Sequence, residues 1–163
     1  MIHIKYMIFI ILLVPFVVKA QKADSTEINT HHVHHRNEIG IGNAPVYFVK
    51  EKVLSYGLHL HYLYNLPGTN FGLGVGYEKI FDEHKHNTFA LILNYSPVDN
   101  LNFSVSPGLA SENNEFDKSI LAIHFETSYE FEIHDFHVGP VFELAADTDD
   151  FHISLGLHLG FGF

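Results

Sequence analysis

The chain closes on FHISLGLHLGFGF, residues 151–163. Alternate positions read Phe151, Ile153, Leu155, Leu157, Leu159, Phe161 and Phe163, and the intervening ones read His152, Ser154, Gly156, His158, Gly160 and Gly162. A two-residue period is that of a β-strand, whose successive side chains point to opposite faces. One face is therefore apolar and the other is made of glycine, serine and histidine. Which face turns inward decides the fold.

The same period runs back through the chain. Eight alternating runs fall at roughly 38–48, 54–66, 71–81, 87–96, 101–110, 119–132, 136–145 and 151–163. On one face lie sets such as Leu58, Leu60, Tyr62 and Tyr64, or Phe89, Leu91, Leu93 and Tyr95. On the other lie eleven of the 12 glycines, with Ser104, Ser106, Ser128, Ser154, Asn94 and Asn102. The remaining glycine, Gly68, sits in a turn.

Two architectures satisfy this alternation. In a soluble, secreted, lipocalin-like ligand-binding barrel the apolar face would be the core. The glycines would then face water, where they weaken a strand with no packing return. In a transmembrane barrel the apolar face meets lipid and the other lines the interior. Eight strands leave room inside for side chains only, and small residues relieve that crowding. Glycine segregation favours the membrane barrel, with the lipocalin-like barrel as the alternative.

The connections agree. LPGTN (66–70), SPVDN (96–100) and EIHD (132–135) are tight and rich in turn formers. They alternate with VKEKV (49–53), FDEHKHN (81–87), ASENNEFDKS (110–119) and AADTDD (145–150), which are more charged and on average longer. Outer-membrane barrels show this asymmetry between periplasmic turns and external loops. Tyr64, Phe71, Tyr95, Phe103, Tyr129, Phe131, Phe136, Phe161 and Phe163 fall at one set of strand ends, and Tyr47, Tyr77, Phe89, Phe142 and Phe151 at the other. Aromatic girdles at the two bilayer interfaces have this form. Pro107 and Pro140 lie inside predicted strands, where bulges or early strand ends are expected.

The start of the chain reads as a targeting segment. Lys5 precedes the apolar run MIFIILLVPFVV, and VKA offers cleavage after Ala20. The run is short for a spanning helix, which needs about 20 residues. Residues 21–37 read as a flexible, His-rich periplasmic tail, and 38–163 as the barrel. Cysteine is absent, which removes disulfides, thiolate metal sites and a lipid attachment point. The formal charge is −10, and −12 once residues 1–20 are removed, which argues against nucleic acid.

The signal-peptide grammar, the alternating strands and the terminal GFGF resemble small bacterial outer-membrane β-barrel proteins of the OmpA/OmpX-like, porin-fold type. NYSPVDNLNFSVSPG (94–108) also looks like a strand–turn–strand segment of such barrels. The resemblance implies an eight-stranded antiparallel up-and-down barrel exported to the bacterial cell outer membrane. It further implies that Phe163, with Phe161 and Leu159 in phase, is an assembly signal read by the barrel-assembly machinery. It carries no activity with it.

The candidate chemistry lies in the interior. Phase places His59, His61, His124, His137, His152 and His158 inside with Glu78, Glu126, Glu130 and Glu143, and no Lys or Arg of strands two to eight clearly joins them. Counting along the strands sets His61, His124, Glu126 and His158 at similar depth. Imidazole with carboxylate suits Zn, Ni or Cu, and such groups also pass protons. The plainer reading is a hydrogen-bonded polar core. His31, His32, His34 and His35 offer four imidazoles just before the first strand, a tract able to bind metal. Nucleophilic catalysis would need a His–Ser–acid constellation, and only Ser111, His84 and Asp82 in loops could supply one.

These residues support a small integral outer-membrane barrel surrounded by lipid, with a structural or interaction role. It is expected to form no general pore and to be neither an enzyme nor dependent on a cofactor. The competing reading is a His/Glu-lined barrel with a metal-binding or proton-linked role.

Overall fold

The computed structural model describes residues 35–113, 115–148 and 150–163. The expected targeting segment, most of the polar segment after it, and His31, His32 and His34 lie outside the described residues. The strands are β1 (Asn37–Phe48), β2 (Val53–Asn65), β3 (Phe71–Ile80), β4 (Asn87–Val98), β5 (Leu101–Ser111), β6 (Ile120–Tyr129), β7 (Phe131–Ile133), β8 (Phe136–Ala146) and β9 (Phe151–Gly162). A 3-10 turn at Phe116–Lys118 lies between β5 and β6.

Every neighbour is antiparallel, and the pairing closes on itself. β1 pairs with both β2 and β9, and β8 pairs with β9 and with β6 and β7. β6 and β7 hold one register against β8 and form a single stave interrupted at Glu130. The molecule is thus an eight-stranded up-and-down barrel. Closure removes the free sheet edge that would otherwise expose unpaired backbone groups.

The apolar face is outside. Leu91 is 67 % exposed and Leu121 is 74 % exposed. Among the described residues, the buried apolar side chains inside are few and mostly small, and Val46, Phe48 and Ile80 form a cluster. This is the reverse of the lipocalin-like arrangement. Along the staves, the outward polar residues away from the rims are Asn43 and Thr127. Aromatics line up across strands as the two-band reading expects. Phe71 pairs with Tyr95, and Tyr95 with Phe103; Phe136 and Phe161 rings lie 4.9 Å apart. At the other rim, Tyr77 and Phe89 rings are 4.8 Å apart.

One end of the barrel carries Asn37, Phe163 and the turns at 66–70, 99–100 and 134–135; the other carries the loops at 49–52, 81–86, 112–119 and 147–150. We call these the terminal end and the loop end. Asn100 (φ 73°) and His134 (φ 61°) hold left-handed conformations in the two shortest turns. Asn tolerates that region better than most residues. The C-terminus closes the seam: Asn37 N donates to Phe163 O at 3.0 Å, and Phe163 N to Asn37 O at 2.9 Å.

The prolines do not end strands or shift register as expected. Pro107 pairs in register with Ile123 of β6, and Pro140 with Leu157 of β9. On the other side of each, pairing lapses and then resumes in the same register, opposite Leu91 for Pro107 and opposite Tyr129 for Pro140. In an antiparallel strand each residue's N–H and C=O point to one neighbour, so a proline needs only one side to forgo its donor. Pro45 does the same toward β9. The one register shift falls between Tyr95 and Val98, beside Pro97. Glycine adjoins these lapses. A Cβ at Gly139 would collide with the Tyr129 carbonyl, one at Gly156 with Asn43 O, and one at Gly108 would lie 2.6 Å from Phe89 O.

Candidate functional site

The lumen is filled by imidazoles and carboxylates delivered by strand parity. His59, His61, His124, His137, His152 and His158 all point inward, with Glu38, Glu78, Glu126, Glu130 and Glu143. Among the described residues, no lysine or arginine is buried. The glycines make room for the rings. A Cβ at Gly40 would strike the His61 imidazole, one at Gly160 the His137 ring, and one at Gly76 would sit 2.8 Å from His59 Nε2. Small residue and imidazole therefore form one packing unit across neighbouring strands.

These groups fall into two sets along the barrel. Toward the terminal end, Glu38 Oε1 lies 3.2 Å from His61 Nε2, 3.2 Å from His137 Nε2 and 3.9 Å from His158 Nε2. Glu130 Oε1 is 3.1 Å from His158 Nδ1 and accepts from Ser128 Oγ at 2.6 Å. The His61 and His158 rings stack with centroids 5.1 Å apart. Nearby, Ser104 Oγ donates to Asn94 Oδ1 at 2.9 Å and Asn94 Nδ2 to Ser96 Oγ at 3.1 Å. This half is a polar core in which carboxylate, hydroxyl and amide groups bond across strands, while His61 Nδ1, His137 Nε2 and His158 Nε2 have no hydrogen-bond partner.

Toward the loop end, His124 Nδ1 lies 3.1 Å from Glu143 Oε1 and 3.7 Å from Glu78 Oε2, and His152 Nε2 is 3.7 Å from Glu143 Oε1. All four residues are buried. Glu78 Oε2 and His152 Nε2 make no hydrogen bond. His59 Nδ1, 3.6 Å from Glu126 Oε2, flanks this set. Beside it is a cavity of about 20 Å³, lined by Gly57, His59, Glu78, Glu126, Glu143 and Ser154 among others. That is room for about one water molecule.

The four residues expected at one depth divide between these sets. His61 and His158 belong with Glu38, His124 with Glu78, Glu143 and His152, and Glu126 with His59 and Glu143. His35, expected in a flexible tract, sits at the terminal rim with Nε2 3.3 Å from Asp135 Oδ1. Glu38, which links three imidazoles, was missing from the interior acids read from the sequence. Its parity with Gly40 and Gly42 was the available signal. Phe163, Phe161 and Leu159 lie at the seam, where Phe161 pairs with Ile39 and Leu159 with Ile41.

The loop residues do not assemble a nucleophile. Asp82 pairs with His86, its Oδ2 2.5 Å from Nδ1, and not with His84. His84 instead lies 3.7 Å from Glu51 and 3.8 Å from Glu112. Ser111 Oγ is buried and makes no hydrogen bond.

No family model and no curated protein matches the sequence. Solved structures do match the fold. Ail, the attachment invasion locus protein of Yersinia pestis, is similar with a TM-score of 0.54 at 14% identity, over 79% of this chain and 99% of that one. Neisserial surface protein A gives 0.52 at 8% identity, over 78% and 96% of the two chains. The N-terminal β-barrel domain of Pseudomonas aeruginosa OprF gives 0.52 at 18% identity, over 79% and 98%. The fold is that of the small outer-membrane β-barrels.

Proposed function

We propose that the chain is an integral protein of the bacterial outer membrane with a structural or interaction role, and that it forms no general pore. The observation that carries this reading is the inversion of the barrel. A closed belt of exposed Leu, Phe, Val and Tyr surrounds a polar, filled interior. In water such a belt would be one continuous apolar patch far larger than soluble monomers tolerate. In lipid it is the expected surface, about 25 Å tall between aromatic girdles.

The filled interior supports the absence of a pore. Among the described residues the lumen holds two layers of side chains beside a cavity of about 20 Å³, which favours a lumen closed to solutes. Interaction would fall to the loop end, whose exposed charges mix Glu51, Glu83, Glu112, Glu115 and Asp117 with Lys50, Lys52, Lys85 and Lys118.

The test has two arms. Expressed in a bacterial host, the protein should sediment with outer membranes and stay there after high-salt washing. Reconstituted in liposomes, it should release a small sugar no faster than empty vesicles do. A protein that stays monomeric in buffer without detergent would refute the membrane assignment, and rapid sugar flux would refute the sealed lumen.

A further inference from the structure

We infer that Glu78, His124, Glu143 and His152 form a buried four-ligand site for a borderline divalent transition metal of the zinc class. The four side chains come from β3, β6, β8 and β9, so the closed barrel alone brings them together. Their donor atoms lie within 4.8 Å of one another. Tetrahedral coordination with bonds of about 2.0–2.1 Å places ligand atoms about 3.3 Å apart. Three of the six separations are 3.1, 3.7 and 3.7 Å, and the others lie within 4.8 Å. Closing the wider pairs to that edge takes shifts of up to about 1.5 Å, within the reach of side-chain rotation.

Three further observations point to a cation. Glu78 and His152 are 7 % and 8 % exposed, yet Glu78 Oε2 and His152 Nε2 have no hydrogen-bond partner. Buried polar atoms without partners are costly unless something satisfies them. Two carboxylates with two neutral imidazoles carry a charge of −2, and no lysine or arginine is buried nearby to offset it. A divalent ion cancels it. The donor set also selects the ion. Two imidazole nitrogens suit Zn, Ni or Cu(II), whereas Ca and Mg prefer six or more oxygens.

The surroundings complete the site. His59 and Glu126 flank Glu143 and supply outer partners. Toward the loop end, His86 lies 3.3 Å from Glu112 and pairs with Asp82. The Phe48 ring stands between, its centroid 5.2 Å from His86 and 5.2 Å from His152. The Glu38 set differs in that its groups bring three donors together and not four, Glu38 with His61 and His158, and Glu130 with His137 and His158.

The test uses the full chain refolded in detergent, with folding followed separately by heat-dependent gel mobility. Zn2+ gives affinity and stoichiometry, and Co2+ gives the visible spectrum of its coordination. The folded chain should bind one tight equivalent and show the strong visible bands of tetrahedral Co2+. That equivalent should persist when His31, His32 and His34 are replaced by Ala. His152→Ala and Glu78→Gln should weaken it by more than the roughly 10–100-fold that an outer partner costs, and His59→Gln by about that range. Should the ligand variants not fold, X-ray absorption of the Zn-loaded wild type should show two imidazoles and two oxygens. A folded barrel that binds no metal, a site lost with the N-terminal histidines, a site indifferent to His152→Ala, or a shell of three or more imidazoles overturns the assignment.

Discussion

Gly40 and Gly42 stand two residues apart on the inner face of β1, and alanine should affect them in opposite directions. Neither has a positive φ, so backbone strain does not separate them. Space does. At Gly42 the nearest atom to an added Cβ is His59 Cβ at 3.5 Å, an ordinary contact. Gly42→Ala should therefore stabilise by about 0.4–1 kcal/mol, through the entropy removed from the unfolded chain. At Gly40 the Cβ lands on the His61 imidazole and 2.5 Å from His158 Nε2. Overpacking a tight interior costs about 1–3 kcal/mol. The displaced rings also weaken the 3.2 Å contact of His61 with Glu38 and the 3.1 Å contact of His158 with Glu130. Losing one charge-assisted hydrogen bond costs about 1.5–3 kcal/mol. Gly40→Ala should thus destabilise by about 3–5 kcal/mol. Urea titration of the folded barrel in lipid vesicles, read by far-ultraviolet circular dichroism, measures both. If the two variants lie within about 0.5 kcal/mol of each other, glycine is not making room for imidazole and the packing argument fails.

Other perturbations probe the remaining links. Leu91→Arg, in the middle of the outer belt, should cost about 2–4 kcal/mol in a bilayer, and Leu54→Arg at the loop rim about 0–1 kcal/mol; equal, near-neutral effects in vesicles would mean that the belt does not face lipid. Glu38→Gln removes the carboxylate shared by His61 and His137 and should cost about 2–3 kcal/mol in the same urea titration, and an unchanged midpoint would show that this set contributes no stability. Deleting Phe163 removes three seam hydrogen bonds with Asn37 and the terminal aromatic; the heat-modifiable folded fraction in outer membranes should fall, and a normal yield would refute an assembly role.

Fold was legible because barrel strands must alternate. Each stave has two chemically opposed environments, so parity alone sorts residues such as Leu157 from His158. Glycine then set the sense of that sorting, since Gly40, Gly76 and Gly160 are affordable only where a ring occupies the space. Depth was less legible. Staves in a closed barrel are tilted by about 35–45° and staggered in register, so equal distance from a turn does not make residues neighbours. This is why His61 and His124 fall in different sets. Pro107 and Pro140 misled for a related reason. Whether a missing N–H matters depends on which neighbour it would have faced, and no period in the sequence records that.

The two halves of the lumen solve one problem differently. An inward carboxylate in a narrow barrel needs a partner, and lysine or arginine would need more length and volume than the glycine-lined interior provides. Histidine is compact, planar and fits against a glycine on the next strand. Its charge, however, is conditional. At the terminal end Glu38 Oε1 lies 3.2 Å from both His61 and His137 and Ser128 donates to Glu130, while three imidazole nitrogens, His61 Nδ1, His137 Nε2 and His158 Nε2, lack partners. At the loop end, among the described residues, no hydroxyl donor is hydrogen-bonded to Glu78 or Glu143, and a carboxylate oxygen, Glu78 Oε2, is unpartnered together with His152 Nε2. That half is complete only when something positive joins it, either protons on the imidazoles or a metal ion between them. Zinc should therefore raise the urea midpoint of the wild type and leave that of His152→Ala unmoved, because a ligand stabilises only the state that holds its site. A zinc-induced shift of equal size in both proteins would place the bound ion elsewhere and leave the loop-end half to protons alone.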